Sequence, residues 1–335
     1  MAIFKKLGID LGTANSLVWE VGKGLILNEP TVVAISVEDQ KVLAVGKEAK
    51  LMLGRTPEFI FACRPMRDGV IADYETTEAM LRYFIQKVCG KFFFFKPEIM
   101  ICVPAGVTQV EQRAVLDATM SAGARVAYLI DEPLAAAIGA RVPVSEPSGN
   151  MIVDMGGGST EAAVISLGGV VTHKSLRVAG NKIDDAVAAY LRKKHGILVG
   201  EQTAEEVKIK LGSAVISKKK KSMEVKGRDS IYGLPKSVEV TNDEITEAIS
   251  GPLKQILAVI KGVLEETPPE LVSDIVDKGI VLSGGTSLLR NLDKFLSENI
   301  DVAFHRVEEP MLSVVKGTAL ALENMDLYQR AVRKK

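Results

Sequence analysis

Apolar residues along this chain gather into short β-type runs, and glycine interrupts them at recurring places. Residues 150–153 lead into Asp154-Met155-Gly156-Gly157-Gly158-Ser159-Thr160. Ala162, Ala163, Val164 and Ile165 then resume the apolar run. A Leu-Gly-Gly turn follows, and Val170, Val171 and Thr172 form a third run. The pattern predicts strand, glycine turn, strand, turn, strand, which is an antiparallel meander. A dinucleotide fold or a P-loop would open a helix directly after its glycines; here a strand follows instead.

The same unit stands at the start of the chain. LGIDLGTANS (7–16) is followed by Leu17–Val21, a Gly-Lys-Gly turn at 22–24 and Leu25–Leu27. Two further echoes come in the same order. IMICVPAGVTQVEQRAVL (99–116) and KGIVLSGGTSLLRNLDKFL (278–296) each read as a buried strand, a break and a helix. VAYLIDEPLAAAIGA (126–140) and VAFHRVEEPMLSVVKGTA (302–319) each lead through Glu-Pro into a small-residue helix. Proline suits a first helical position, because the N–H it lacks would have no partner there. Three ordered echoes predict a duplicated α/β domain with a mixed sheet in each copy.

Segments without a counterpart, 32–74 and 181–242, read as insertions. The second is expected to carry a helix over about 181–194, another opened by a Thr203-x-x-Glu206 capping box, and a lysine-rich loop at Lys218–Lys221. Thr108-x-x-Glu111 and Thr241-x-x-Glu244 mark further helix starts, and a helix is expected over about 76–89. Trp19 is expected in the core, and Glu309 is expected to act as an N-cap.

Composition narrows the field. The 335 residues are 47% hydrophobic and 25% charged, enough for two or more packed domains. Lys plus Arg and Asp plus Glu both number 42, so the basic excess of a general nucleic-acid binder is missing. Cys63, Cys89 and Cys102 show no metal or disulfide spacing, which predicts free thiols. No apolar run is long enough for a membrane span, and MAIFKKLGIDLG lacks the apolar stretch of a signal peptide, so a cytosolic protein is expected. His173, His195 and His305 are scattered and suggest no chemistry.

Two duplicated domains facing each other make a natural ligand cleft. Each presents a turn with glycine, a hydroxyl and one aspartate. Glycine lets backbone amides approach phosphate oxygens, and Thr13, Ser159 and Thr160 can add hydroxyl donors. Asp10 and Asp154 would repel a bare phosphate. They make sense if a Mg²⁺ that keeps several waters lies between carboxylates and phosphates. Ser283-Gly284-Gly285-Thr286 ends a strand and opens a helix, and is expected against the nucleoside.

Asp10-Leu-Gly-Thr-Ala-Asn, Asp154-Met-Gly-Gly-Gly-Ser-Thr and Leu282-Ser-Gly-Gly-Thr resemble the phosphate-1, phosphate-2 and adenosine motifs of the actin, sugar-kinase and heat-shock-chaperone ATPase superfamily. Within it, LGIDLGTANSLV, LNEPTVVAI, RPMRDGVIADY, DEPLAAAIGA, EEVKIKLGSA, TPPELVSDI and SLLRNLD are similar to the MreB family of bacterial actin homologues, over nearly the whole chain. The resemblance implies an actin-like ATPase fold around a nucleotide cleft. It implies four parts: subdomain IA (1–31, 75–142 and 316–335), IB (32–74), IIA (143–180 and 243–315) and IIB (181–242). ATP and Mg²⁺ would be the cofactors. Gly12, Thr13, Ala14, Asn15, Gly156, Gly157, Gly158, Ser159 and Thr160 would hold phosphates. Glu205, Glu206, Val207 and Lys208, with Gly284, Gly285, Thr286, Ser287 and Leu288, would line the adenosine site. Glu132 would orient the attacking water, with Asp154 and Ser159 beside it. Asp131, Ser159 and Thr286 depart from the residues usual in the family.

The resemblance also implies self-assembly into filaments, paired antiparallel, that organise cell-wall synthesis and rod shape with a transmembrane elongation machinery at the inner face of the cell membrane. Phe92, Phe93, Phe94 and Phe95, flanked by Lys91 and Lys96, would be the loop that dips into the bilayer. Two other readings share the fold. A small-molecule kinase needs an aspartate base beside an acceptor pocket, and no sugar-binding signature is present. A chaperone ATPase carries a further peptide-binding domain, and none is expected within these 335 residues.

Overall fold

The computed structural model describes residues 4–90 and 95–335. Its two main sheets repeat one plan. In the first, Lys6–Leu11 pairs antiparallel with Asn15–Glu20, which pairs antiparallel with Gly24–Pro30. On its other side Lys6–Leu11 pairs parallel with Glu98–Val103, and that strand with Val126–Asp131. In the second, Asn150–Met155, Thr160–Ser166 and Gly169–Leu176 form the meander, with Ile280–Ser283 and Phe304–Arg306 parallel on the other side. Each echoed motif thus has the same neighbours in both sheets. The first sheet adds one edge strand, Arg333–Lys334, antiparallel to Val126–Asp131.

The sheets are mixed because the meander strands are joined by tight turns, whereas parallel neighbours need helical crossovers. Tyr74–Cys89 and Gln109–Ser121 cover one face of the first sheet, around Leu7, Ile9, Met80, Phe84, Ile99 and Leu129. Asn242–Glu266 and Gly180–His195 cover the corresponding face of the second, around Val153, Val164, Ile183, Ile249 and Ile256. Each such fully buried apolar side chain contributes about 1.5–3 kcal/mol.

Between the inner faces lie the two Glu-Pro helices, Glu132–Gly139 and Ser313–Glu323. They cross backbone against backbone. A Cβ at Gly139 would run into the Ser313 carbonyl oxygen, and one at Gly317 into that of Ala135. Only glycine permits this approach.

The first insertion forms a three-stranded sheet from Val33–Ser36, Val42–Val45 and Ile60–Cys63, with the short helix Lys47–Met52. The second holds Gly180–His195, the helix Glu201–Leu211 and a sheet of Ile197–Leu198, Ser222–Asp229 and Pro235–Thr241. Both capping boxes at Thr108 and Thr241 form, with side chain and backbone bonded reciprocally to Glu111 and Glu244.

Several local expectations change. Thr203 does not cap a helix: Gly200 precedes the helix Glu201–Leu211, Thr203 lies inside its first turn, and Glu206 pairs with Lys210. The helix expected at 76 starts at Tyr74, because Asp73 accepts the Thr76 N–H. Trp19 is only half-buried, with Lys316 over its ring at 5.8 Å. Glu309 makes no cap bond and pairs with Lys316. Ser283-Gly-Gly-Thr opens a single 3₁₀ turn, Gly285–Leu288, before the helix Leu292–Ile300. Phe92, Phe93 and Phe94 lie outside the described residues. Phe95 is 58% exposed and meets the Phe4 ring edge-on at 5.8 Å.

Candidate nucleotide site

The two glycine turns stand against each other at the floor of the cleft. A Cβ at Gly157 would lie 2.6 Å from Ala14 Cβ, and one at Gly158 would lie 2.5 Å from Thr13 Oγ1. The glycine run is therefore a contact requirement between hairpins, beyond any need for a tight turn. Thr31 Oγ1 donates to the Gly12 carbonyl at 2.6 Å, and the Gly156 N–H donates to the Ser159 carbonyl at 3.0 Å, which fix the two turns. Thr13 Oγ1 accepts the Gly69 N–H at 2.9 Å, so its own hydroxyl hydrogen is left to donate.

Around these turns opens a cavity of about 370 Å³, the size of a small-molecule pocket. Asp10, Gly12, Thr13, Ala14, Asn15, Glu132, Asp154, Gly156, Gly157, Gly158 and Ser159 all line it. So do Glu205, Lys208, Gly284, Gly285, Thr286 and Leu288 from the opposite end. One wall there is apolar, with Ile209, Leu288, Leu289 and Met311, as a heteroaromatic ring requires.

Four sequence candidates are not on the cavity wall. Thr160 is fully buried, and its hydroxyl donates to Val178 O at 2.7 Å. Val207 points into the core of the second domain. Glu206 faces solvent on the helix side away from the cleft. Ser287 is buried and donates to Gly284 O at 2.6 Å, so it shapes the turn. In the two helical cases the period of 3.6 residues decides: only Glu205 and Lys208 share a face.

The cavity also gains residues that the motifs did not reveal. Gly69, from the first insertion, sits between Thr13 and Ser159. Asn181 donates its backbone N–H to Gly157 O at 2.8 Å. Arg290 closes the far end, its guanidinium donating to the carbonyls of Gly212 at 2.9 Å and Lys210 at 2.7 Å. A glycine after an aspartate in RPMRDGV was the only sequence signal for Gly69.

The floor is strongly acidic. Burial, then the Asp154 charge, raises the Asp10 carboxyl to about 7. Burial raises Asp154 to about 6. Glu132 is pushed well above the ordinary carboxylate range, by burial first and then by Asp154 and Asp10. Glu161, paired with Asp154 across the hairpin, rises to about 7 mainly through burial. Asp154 Oδ1 is buried without a hydrogen-bond partner. Such a set favours a cation strongly. Among the described residues, no three acidic, histidine or cysteine side chains are arranged to chelate a metal directly. A Mg²⁺ held through water and shared with phosphate fits this donor set. Cys102 Sγ, 3.6 Å from Asp10 Oδ1, is buried, and its thiol is raised well above its ordinary range, by burial first.

Comparison with known proteins gives this cleft a lineage. The chain is 48% identical over 330 residues to the cell shape-determining protein Mbl of Bacillus cereus, covering 98% of this chain and 99% of that one. It is also 48% identical over 327 residues to the cell shape-determining protein MreB of Escherichia coli, covering 96% and 94%. The crystal structure of MreB 5 of Spiroplasma citri bound to AMPPNP superposes with a TM-score of 0.93 at 33% identity, over 98% of this chain and 99% of the other. The fold is that of the actin-like ATPases. With residues 4–330 also matching the model of the MreB/Mbl proteins, the chain belongs to the MreB/Mbl family.

Proposed function

We propose that this protein binds and hydrolyses ATP with Mg²⁺ and couples turnover to its own assembly into filaments. The single observation that carries the nucleotide reading is the pair of glycine hairpins in contact across an acidic floor, Gly158 on Thr13 and Gly157 on Ala14. Backbone amides and the hydroxyls of Thr13 and Ser159 hold phosphate oxygens from two sides. Asp10 and Asp154 would hold Mg²⁺ through water, and the bound ion would offset phosphate charge. Lys208, Thr286 and Leu288 border the nucleoside. Glu132, at the head of its helix, orients a water in line with the γ-phosphorus. Attack forms the new P–O bond as the bond to the β–γ bridging oxygen breaks, leaving ADP and inorganic phosphate.

The division into four subdomains, at the boundaries read from the sequence, belongs to this proposal. So do antiparallel pairing of protofilaments, attachment to the inner face of the membrane, and the organisation of cell-wall synthesis through transmembrane partners. Among the described residues no helix is long and apolar enough to cross a membrane. Contact with lipid would therefore be peripheral. The exposed Phe95, its packing on Phe4 and Arg125 over the Phe4 ring at 4.0 Å support a lipid-facing corner.

Sedimentation and electron microscopy with ATP, with and without anionic liposomes, test the reading. Paired filaments that decorate liposomes are expected. Turnover that depends on an added sugar or small acid, without polymer, would favour a small-molecule kinase. Changing Phe92–Phe95 to serine should abolish liposome decoration; undiminished decoration would remove the loop from the account.

A further inference from the structure

The nucleoside end of the cleft contains a buried ion pair. Lys208 Nζ lies 2.9 Å from Oδ1 and 3.0 Å from Oδ2 of Asp184, and donates to Gly180 O at 3.2 Å. Asp184 is 6% exposed and lies in the first turns of Gly180–His195. Burial raises its carboxyl to about 6, and the Lys208 charge is the largest influence pulling it back down.

An ammonium has three hydrogens and no acceptor. Asp184 and Gly180 O take two of them, which leaves one for the cavity that Lys208 lines. An unpaired ammonium there would attract phosphate anywhere along the cleft. Paired with a carboxylate at contact distance, Lys208 adds little net charge to the wall and offers a directed donor instead. The start of the same helix is tied to the phosphate-side turn. Gly180 N–H donates to Gly156 O at 3.3 Å, and Asn181 N–H to Gly157 O at 2.8 Å. The position of Lys208 is thereby set relative to the glycine hairpin.

We propose that Asp184 is a positioning residue: it neutralises Lys208 and aims its remaining N–H at an uncharged acceptor on the nucleoside, so that this end of the cleft selects nucleoside over phosphate. The inference rests on the nucleotide reading and deepens it.

Equilibrium binding of Mg²⁺ with ADP, ATP or inorganic tripolyphosphate to the full chain tests it, using wild type, Asp184→Asn, Lys208→Met and the double variant. Asp184→Asn should weaken ADP and ATP by the same factor, about tenfold, or about 1.4 kcal/mol. Tripolyphosphate should bind as well as before or more tightly. The double variant should be no weaker for ADP than Lys208→Met alone. Equal loss for tripolyphosphate and ADP would mean a merely structural pair and overturn the proposal. Unchanged ADP affinity, or additive losses in the double variant, would overturn it as well. Should Asp184→Asn fail to fold, Lys208→Met decides alone, by losing ADP but not tripolyphosphate. Wild-type protein that binds no ADP would sink the nucleotide reading itself. Wild-type binding with an insensitive Asp184→Asn sinks only this inference.

Discussion

Asp10 and Asp154 occupy the same station in two separate hairpins. Each is the second-to-last residue of its strand, and the Asp154 charge raises the Asp10 carboxyl. In the fold they titrate at about 7 and about 6, against an ordinary 3.8. Folding therefore takes up protons between these values. The stabilising share of the two groups is complete below about pH 4 and is lost as pH rises through about 7. Without nucleotide, the thermal unfolding midpoint should fall as pH rises from about 5.5 to about 8. Mg²⁺ with ADP should flatten that slope and EDTA should restore it. A slope indifferent to Mg²⁺ and ADP would remove the metal from this floor.

Contact between the hairpins makes Gly158 sensitive to a single methyl. Alanine there would bring a Cβ to 2.5 Å from Thr13 Oγ1 and 3.0 Å from Asp68 Cα. The turns must separate, and phosphate gripped from both sides loses one side. Gly158→Ala should fold but bind ATP at least about tenfold more weakly, a cost of about 1.4 kcal/mol. Titration with a fluorescent nucleotide measures this.

Glu132 lines the cavity beside Asp154, and its side chain makes no hydrogen bond to either glycine turn. Glu132→Ala should slow phosphate release about a hundredfold, within the range of a lost acid–base or water-orienting group. ATP affinity should stay within about threefold, a difference of about 0.7 kcal/mol. Lost binding would show that Glu132 holds the nucleotide instead of the water.

The helix crossing predicts a stability defect far larger than a methyl usually causes. Gly317→Ala forces a Cβ onto the Ala135 carbonyl oxygen. It should lower folding stability by at least about 3 kcal/mol, the upper end of overpacking costs. Denaturant unfolding against Gly251→Ala, whose Cβ would meet nothing within 4 Å, provides the control.

Much of this was legible in the residues. The duplicated meanders could be read because turn residues and alternation are local, and three echoes in order showed that the two halves share one plan. Glu205 and Lys208 could be told from Glu206 and Val207 only once the helix was set against the core. Gly69, Asn181 and Arg290 escaped because they reach the cavity from insertions and loops distant in sequence, and Gly69 and Asn181 are tied to the glycine turns by backbone N–H groups, which no residue type announces. The Thr203 capping motif misled because the helix begins three residues earlier than a Thr203 cap requires, after Gly200, which places Thr203 inside the first turn. Nothing local marks Gly139 and Gly317 as partners.

Those two glycines have a mechanical consequence. The crossing helices begin at the cleft, where Glu132 heads one and Val314 lies in the first turn of the other. From Glu132 to Gly139 is about 10 Å of helix at about 1.5 Å per residue. The close backbone contact at Gly139 and Gly317 makes this crossing the point about which one half would turn against the other. A shift of about 1 Å at the helix head then amounts to a turn of about 6° about the joint. The arc grows in proportion to the distance from the joint, so in such a turn the outer edges of the two halves would travel several times farther than the atoms that set them moving.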